Sequence, residues 1–458
     1  MAKSSSIAEL KVFLVPFLAP GHMIPMVHLA HLLSHRGVIS TIVTTPGNAD
    51  LIRPSLSTSS VHLLTIPFPS DLPDNLTAFR SPEIPPDFYS ALCRLEPHLE
   101  HLLLSHRPDC LISDIFLPWT AYLAEKHRIP RLAFHGTSSF STVVMTAIVN
   151  LRLLDSVSRD DESFLIPGFP HHIEMYRSQL PYFITSPPAF VTEVAEAYKQ
   201  TFGTVVNSFH ELEPAYAAML GSQGARNWLV GPLSFFRLSG AVAIPAKIFS
   251  FLESKEHGSV VYVCFGSLSR FTVVQMREIK TGLEAANRPY LWVVTDEATT
   301  DYVAGEANGL VVSGWVPQVE ILNHPAIGGF VTHCGWNSSL EGIIAGVPMV
   351  TWPLFAEQFI NERLLVDVLR VAVGVGTKVS RVKAEDRLLV PAEKLTAAVE
   401  AVMGGSEDAD ERRQRANELK ETAAAVVADG GSSVMELDLM LEELSALKMA
   451  RIHNSNYE

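Results

Sequence analysis

Along this chain, short runs of β-branched and aliphatic residues alternate with stretches whose apolar positions recur three and four apart. A two-residue period giving way to a 3.6-residue period predicts strand–helix–strand units built around parallel sheets. In the first half the predicted strands cover residues 11–17, 39–45, 61–68, 109–116, 131–136 and 203–209, with helices in "MVHLAHLLSHRG" and "PWTAYLAEKHR". The period fades after "WLVGPLSFF" and returns with the strand "SVVYVCFGS" at 259–267, which places a domain boundary near 235–250. Beyond it come the helix "VVQMREIKTGLEAA", the strands "YLWVVT", "GLVVSGW" and "GGFVTH", the helix "NSSLEGIIAG" and the strand "VPMVTWP". The expectation is an α/β protein of two tandem doubly wound, Rossmann-like parallel-sheet domains, 1–240 and 251–440. A tail, 441–458, is expected to pack back towards the first.

A length of 458 residues suits two domains, and 47% hydrophobic against 18% charged residues excludes a disordered chain. With 49 Asp and Glu against 35 Lys and Arg, the formal charge is −14, a poor surface for nucleic acid. Cys93, Cys110, Cys264 and Cys334 lie far apart with no CxxC, which argues against a disulfide framework or zinc ribbon and for a reducing, cytoplasmic location. The apolar stretch from Val12 is too short to span a membrane and is broken by Pro16 and Pro20, so no membrane span, signal peptide or anchor is expected.

Several nucleotide and metal motifs are missing. There is no GxxxxGK[ST] and no HExxH, and Val379 stands where Gly374 and Gly376 would need a third glycine. The only DxD, Asp408–Asp410, sits in a charge run that reads as an exposed helix surface. His28, His31 and His35 share one helical face without a sequence-local carboxylate, so a metal site is not expected there. Trp119, Trp228 and Trp292 sit in apolar patterns and read as core.

The densest signal is the 44-residue run from Trp315 to Gln358, "WVPQVEILNHPAIGGFVTHCGWNSSLEGIIAGVPMVTWPLFAEQ". Physically, "GGFVTH" is a buried strand entering "CGWNSS", where Gly335 permits a tight turn and Asn337 or Ser338 can open a helix. The free N–H groups and positive end of such a helix form an anion site, to which His333, Asn337 and Ser338 add donors, so a diphosphate is held without a metal. Ser338 and Glu341 also have the spacing of a capping box, which would account for both without a ligand.

The run resembles, nearly position for position, the plant secondary product glycosyltransferase signature of family 1 UDP-dependent glycosyltransferases. "LAPGHMIP", "DCLISDIFLPW", "RLAFHGTS" and "VVYVCFGS" resemble further family segments. The resemblance implies the GT-B fold, with the two domains facing across a cleft, the first binding acceptor and the second UDP-sugar. It implies that Trp315 stacks on uracil, with Val316 and Gln318 beside base and ribose and Glu341 on the ribose hydroxyls. It places His333, Asn337, Ser338 and Ser267 on the diphosphate and Trp336, Glu357 and Gln358 on the sugar. The terminal Gln points to UDP-glucose, since galactose users often carry His there.

His22 follows the first strand, at the carboxyl end where open α/β sheets bind ligands, and within "PGHMIP" it matches the family's catalytic base. Asp114 ends another strand and would hold the second ring nitrogen; its alternative is to cap the following helix. The acceptor pocket is expected from Phe17, Phe88, Leu92, Phe116, Thr137 and Phe190. The implied reaction is inverting transfer of glucose from UDP-glucose to a hydroxyl of a small lipophilic plant metabolite (flavonoid, phenolic, triterpenoid or steroid). Neither cofactor nor metal is expected, and the enzyme is expected to be a monomer. Alternatives are carbon-linked transfer on the same scaffold and a catalytically silent nucleotide-sugar or small-molecule binder; an NAD oxidoreductase is disfavoured by the missing glycines. Two departures from the family stand out: a short interdomain segment over 235–255 carrying "IFSFLES" where relatives tend to have a helix with a tryptophan, and an abbreviated stretch before Gly309.

Overall fold

The structure is a computed structural model that describes residues 9–56, 59–79, 84–222, 224–236, 243–295 and 308–455. The first domain contributes β1 (Lys11–Val15), β2 (Ile39–Thr44), β3 (His62–Thr65), β4 (Cys110–Asp114), β5 (Arg131–His135), β6 (Ser163–Leu165), β7 (Glu174–Tyr176), β8 (Gly203–Val206) and β9 (Asn227–Leu229). The second contributes β10 (Val260–Cys264), β11 (Tyr290–Val294), β12 (Gly309–Ser313), β13 (Ile327–Thr332), β14 (Met349–Thr351) and β15 (Ala372–Gly374). Strands β4 and β8 are buried at every position, as in a parallel sheet covered by helices on both faces.

One sheet has the order β3-β2-β1-β4-β5-β8-β9, the other β12-β11-β10-β13-β14-β15, and every pairing within them is parallel. Strands β6 and β7 form a separate antiparallel ribbon. In each large sheet the chain winds outwards in both directions from a central pair, β1/β4 and β10/β13. The crevice beyond the carboxyl ends of such a pair is where doubly wound sheets bind ligands. The chain therefore carries two crevices, one opened by the residues after β1 and β4, the other by those after β10 and β13.

The two domains share apolar contact. One hydrophobic cluster runs from Phe140, Val144 and Tyr216 of the first domain to Trp336, Leu340 and Phe359 of the second. The C-terminal helix Ser432–Ser455 begins well before residue 441, and Leu437, Met440, Leu441 and Leu444 pack with Leu10 and Val12 of the first domain. Lys448 fixes its far end by donating to the Glu9 carbonyl and to the Asp109 carboxylate.

"IFSFLES" does form a helix, Ala246–Glu253, entered from Pro245 and burying Ile248 and Leu252. The abbreviated stretch before Gly309 lies outside the described residues. Asp408 and Asp410 are exposed in the first turn of helix Glu407–Val426, where carboxylates complement the helix dipole. Among the described residues no helix is long and apolar enough to cross a membrane.

Candidate active site

After β1 the chain passes through Phe17–Ala19 into helix Pro20–His35, with proline in the first turn, where its missing N–H costs nothing. His22 lies in that turn. Because β1 pairs with β4 (Val15 beside Ser113), the turn faces Asp114, the last residue of β4. His22 Nδ1 lies 2.8 Å from Asp114 Oδ2. The other carboxylate oxygen accepts the Phe116 N–H at 2.9 Å, and Asp114 is fully buried. Helix Trp119–Lys126 is instead entered from Pro118, so Asp114 does not cap it. With the proton on Nδ1, Nε2 of His22 is the basic nitrogen, and its side chain keeps 26% exposure towards the crevice. Burial pushes the His22 pKa down, but the Asp114 charge, their hydrogen bond and the Glu357 charge outweigh it and leave it raised.

Aromatic rings wall His22. Phe17 and Phe116 stand 5.2 and 5.4 Å from the His22 ring, Phe116 stacks at 5.9 Å on Phe190, and Phe190 meets Tyr89 at 4.6 Å. Phe88 and Leu92 are not part of the wall, contrary to the sequence expectation. Both are fully buried on the inner face of helix Pro86–Cys93, with Phe88 against Phe68 and Phe79, so the neighbouring Tyr89 is the residue that reaches Phe190. Thr137 is buried, and its hydroxyl has no hydrogen-bond partner. His135, which sequence reasoning missed, ends β5 with its Nδ1 equally unpartnered. Burial lowers its pKa to about 4, despite the field of Asp114 and with that of His22 adding to the shift. The one available signal is its position, a polar residue at a strand's carboxyl end like Asp114.

Opposite lies the second crevice. β13 leads through His333 and Cys334 (φ 64°) into Gly335, the N-cap of helix Trp336–Ala345. The helix therefore starts before Asn337 and Ser338, and no side chain caps its first turn, leaving backbone N–H groups available. Nor do Ser338 and Glu341 form a capping box: Gln318 Nε2 donates to Ser338 Oγ at 3.0 Å and to Glu341 Oε2 at 2.7 Å, while Tyr262 donates to Gln318 Oε1. His333 is confined by two glycines, since a Cβ on Gly266 or Gly335 would fall 2.7 or 2.4 Å from its ring. Burial lowers the His333 pKa to about 4, so its imidazole is neutral at physiological pH. Ser267 follows β10 in a loop whose carbonyls at Ser267 and Ser269 accept from Arg270.

Trp315 is 70% exposed, more than any other large apolar residue described, and Val316 is buried beside it. Gln358 is buried, with Oε1 accepting the N–H groups of Leu354 and Phe355 at 2.9 and 3.1 Å. Ala356, at φ 53°, turns the chain into Glu357, whose Oε1 accepts from Asn361 Nδ2 at 3.3 Å. The indole of Trp336 does not face this space. It is buried, and Nε1 donates at 2.8 Å to the Asn207 carbonyl of the first domain, an interdomain contact. Other bonds that cross between the domains include Ser141 Oγ donating to Asn361 Oδ1 at 2.7 Å, and Asn337 Nδ2 donating to the carbonyl of Gly21, next to His22, at 2.6 Å. Among the described residues no group of three His, Cys, Asp or Glu side chains could hold a metal.

Comparison with known proteins agrees with this arrangement. Residues 239–406 match the family described as UDP-glucoronosyl and UDP-glucosyl transferase. A UDP-glucose flavonoid 3-O-glucosyltransferase of Fragaria ananassa is 39% identical over 478 residues, 97% of this chain and 98% of the relative. A scopoletin glucosyltransferase of Nicotiana tabacum is 39% identical over 95% of this chain and 98% of its own length. The solved structure of a Glycyrrhiza uralensis glycosyltransferase with glycyrrhetinic acid 3-O-monoglucuronide superposes with a TM-score of 0.90 at 32% identity, covering 98% of both chains. A Medicago truncatula structure containing UDP-glucose gives a TM-score of 0.80 at 27% identity over 97% of this chain and all of the other. With two facing GT-B domains and relatives aligned over nearly their whole length, this chain belongs to the plant family 1 UDP-dependent glycosyltransferases.

Proposed function

We propose that this glycosyltransferase moves glucose from UDP-glucose to a hydroxyl of a small lipophilic plant metabolite, inverting the anomeric centre. The observation that carries the reading is the Asn337–Gly21 bond, which sets an uncapped helix start directly across from His22. The names of relatives acting on a flavonoid and on scopoletin support the acceptor class. Trp315 stacks on uracil, Gln318 and Glu341 hold the ribose, and Glu357 with the Nε2 of Gln358 holds the sugar. His333, Ser267 and the N–H groups of Asn337 and Ser338 receive the diphosphate.

The acceptor lies between Phe17, Phe116 and Phe190. As its oxygen attacks the anomeric carbon, His22 Nε2 takes the proton and Asp114 stabilises the resulting imidazolium. The carbon–oxygen bond to UDP breaks on the opposite face. Negative charge then grows on the diphosphate, where fixed N–H dipoles stabilise it without reorganising, and no metal is required. A cleft complete within one chain suits a monomer, and four unpaired cysteines suit a reducing cytoplasm.

Incubation with UDP-glucose and a panel of flavonoids, coumarins, triterpenoids and steroids, read by mass spectrometry, should give a hexose adduct whose yield is unchanged by EDTA. His22→Ala should reduce turnover by about 10² to 10⁴ while leaving UDP binding intact. Undiminished turnover in that variant would reopen the silent-binder alternative.

A further inference from the structure

We propose that Arg131 is a positioning residue of the transfer reaction, a buried guanidinium that shares Asp114 with His22 and thereby limits how strongly the carboxylate holds the imidazolium. Arg131 opens β5, paired with Leu111 of β4, and is only 3% exposed. Its side chain lies along β4 towards the crevice. Nε donates to Ser113 Oγ at 2.7 Å and to Thr120 Oγ1 at 3.1 Å, Nη1 to Thr201 Oγ1 at 2.6 Å, and Nη2 to the Asp114 carbonyl at 3.3 Å.

Each of these acceptors is a neutral oxygen. Among the described residues no ion pair within 4.0 Å includes Arg131, although a guanidinium stays charged in a protein interior and an uncompensated buried charge is costly. The balancing charge is that of Asp114, the one group whose field favours the Arg131 cation. Asp114 thus offers its carboxylate to His22 at the crevice and its backbone carbonyl to Arg131 behind it.

The other charged or titratable groups acting on His22 are Glu357, from the second domain, and His135, on β5 beside the dyad. Neither takes part in the Arg131 hydrogen bonds. A clamp that merely joined β4 to β5 would need only the four hydrogen bonds. The charge adds a second effect: by opposing an imidazolium from the far side of Asp114, Arg131 weakens the hold that keeps His22 protonated when the acceptor arrives.

The inference rests on His22 being the base, but its measurement does not depend on transfer. The His22 imidazole can be titrated by NMR in selectively labelled enzyme, its resonance assigned by loss in His22→Gln. Arg131→Gln, which removes the charge and keeps polar contacts, and Arg131→Met should each raise the His22 midpoint by about half a unit or more. Arg131→Lys should leave it near the parent value. Thr201→Asp, which gives the guanidinium a carboxylate of its own on the Nη1 side, should raise it with Arg131 still in place.

The thermal transition of the first domain, which holds Arg131 and Thr201, reports that each variant is folded. The acid limb of kcat/KM, measured with whichever aliphatic alcohol the acceptor panel identifies, should move with the midpoint. An unchanged titration in Thr201→Asp and in any folded charge-removing variant, or an equal shift in Arg131→Lys, would overturn the proposal and leave Arg131 as a strand clamp.

Discussion

A general base works only in its unprotonated form, so for the role proposed for His22 its raised pKa has a kinetic consequence. Below its folded pKa, which lies above the ordinary imidazole value of about 6.5, the ring is protonated and cannot accept the acceptor's proton. Activity should therefore fall as pH drops through a midpoint higher than an isolated histidine's. Asp114→Asn removes the opposing charge and the tautomer lock. Its acid limb should move to lower pH while kcat drops on the order of 10³, as read from a pH–rate profile. The pairing of His22 with Asp114 was legible in the sequence because His22 follows one recognisable strand in the first turn of the next helix and Asp114 ends another. Phe88 and Leu92 misled because a short amphipathic helix does not declare which face is inward; packing against Phe68 and Phe79 decides that, and those rings come from a different part of the chain. Arg131 and His135 carried no signal beyond their places at the two ends of one strand.

At the scale of elements, the proposed function depends on where one helix begins. Ser338 and Glu341 have capping-box spacing, but Gly335 opens the helix earlier, so Ser338 becomes its third residue and Gln318 engages both side chains. The spacing was readable and the start was not, because the start is fixed by the backbone at Cys334 and Gly335 and by the close approach of His333. Gly335→Ala would put a Cβ 2.4 Å from His333 Nε2 and force the ring or the turn to move. UDP affinity measured by calorimetry should weaken tenfold or more, with the thermal transition of the first domain little altered. Strand interiors were legible from their apolar runs, yet expected strands such as 61–68 and 109–116 extended past the observed His62–Thr65 and Cys110–Asp114. The extra residues include Phe116, apolar because it faces the crevice rather than because it is paired in a sheet.

Across the whole molecule, two doubly wound sheets set their switch points opposite one another, and contacts between domains hold that orientation: Asn337 on Gly21, Trp336 on Asn207, Ser141 on Asn361, and the C-terminal helix lying back on the first domain. The tandem α/β pattern was evident from hydrophobic periodicity, whereas the contacts were not, since each joins residues more than a hundred positions apart. The indole of Trp336 illustrates the difference: within a sugar-binding signature, its partner is a backbone carbonyl of the other domain. A crystal structure with UDP and a bound acceptor tests the account most directly. The expected result places diphosphate oxygens about 3 Å from the N–H groups of Asn337 and Ser338, uracil on Trp315, and the acceptor hydroxyl within reach of His22 Nε2. A diphosphate bound away from that helix start, or an acceptor kept from His22 by Phe116, would contradict it.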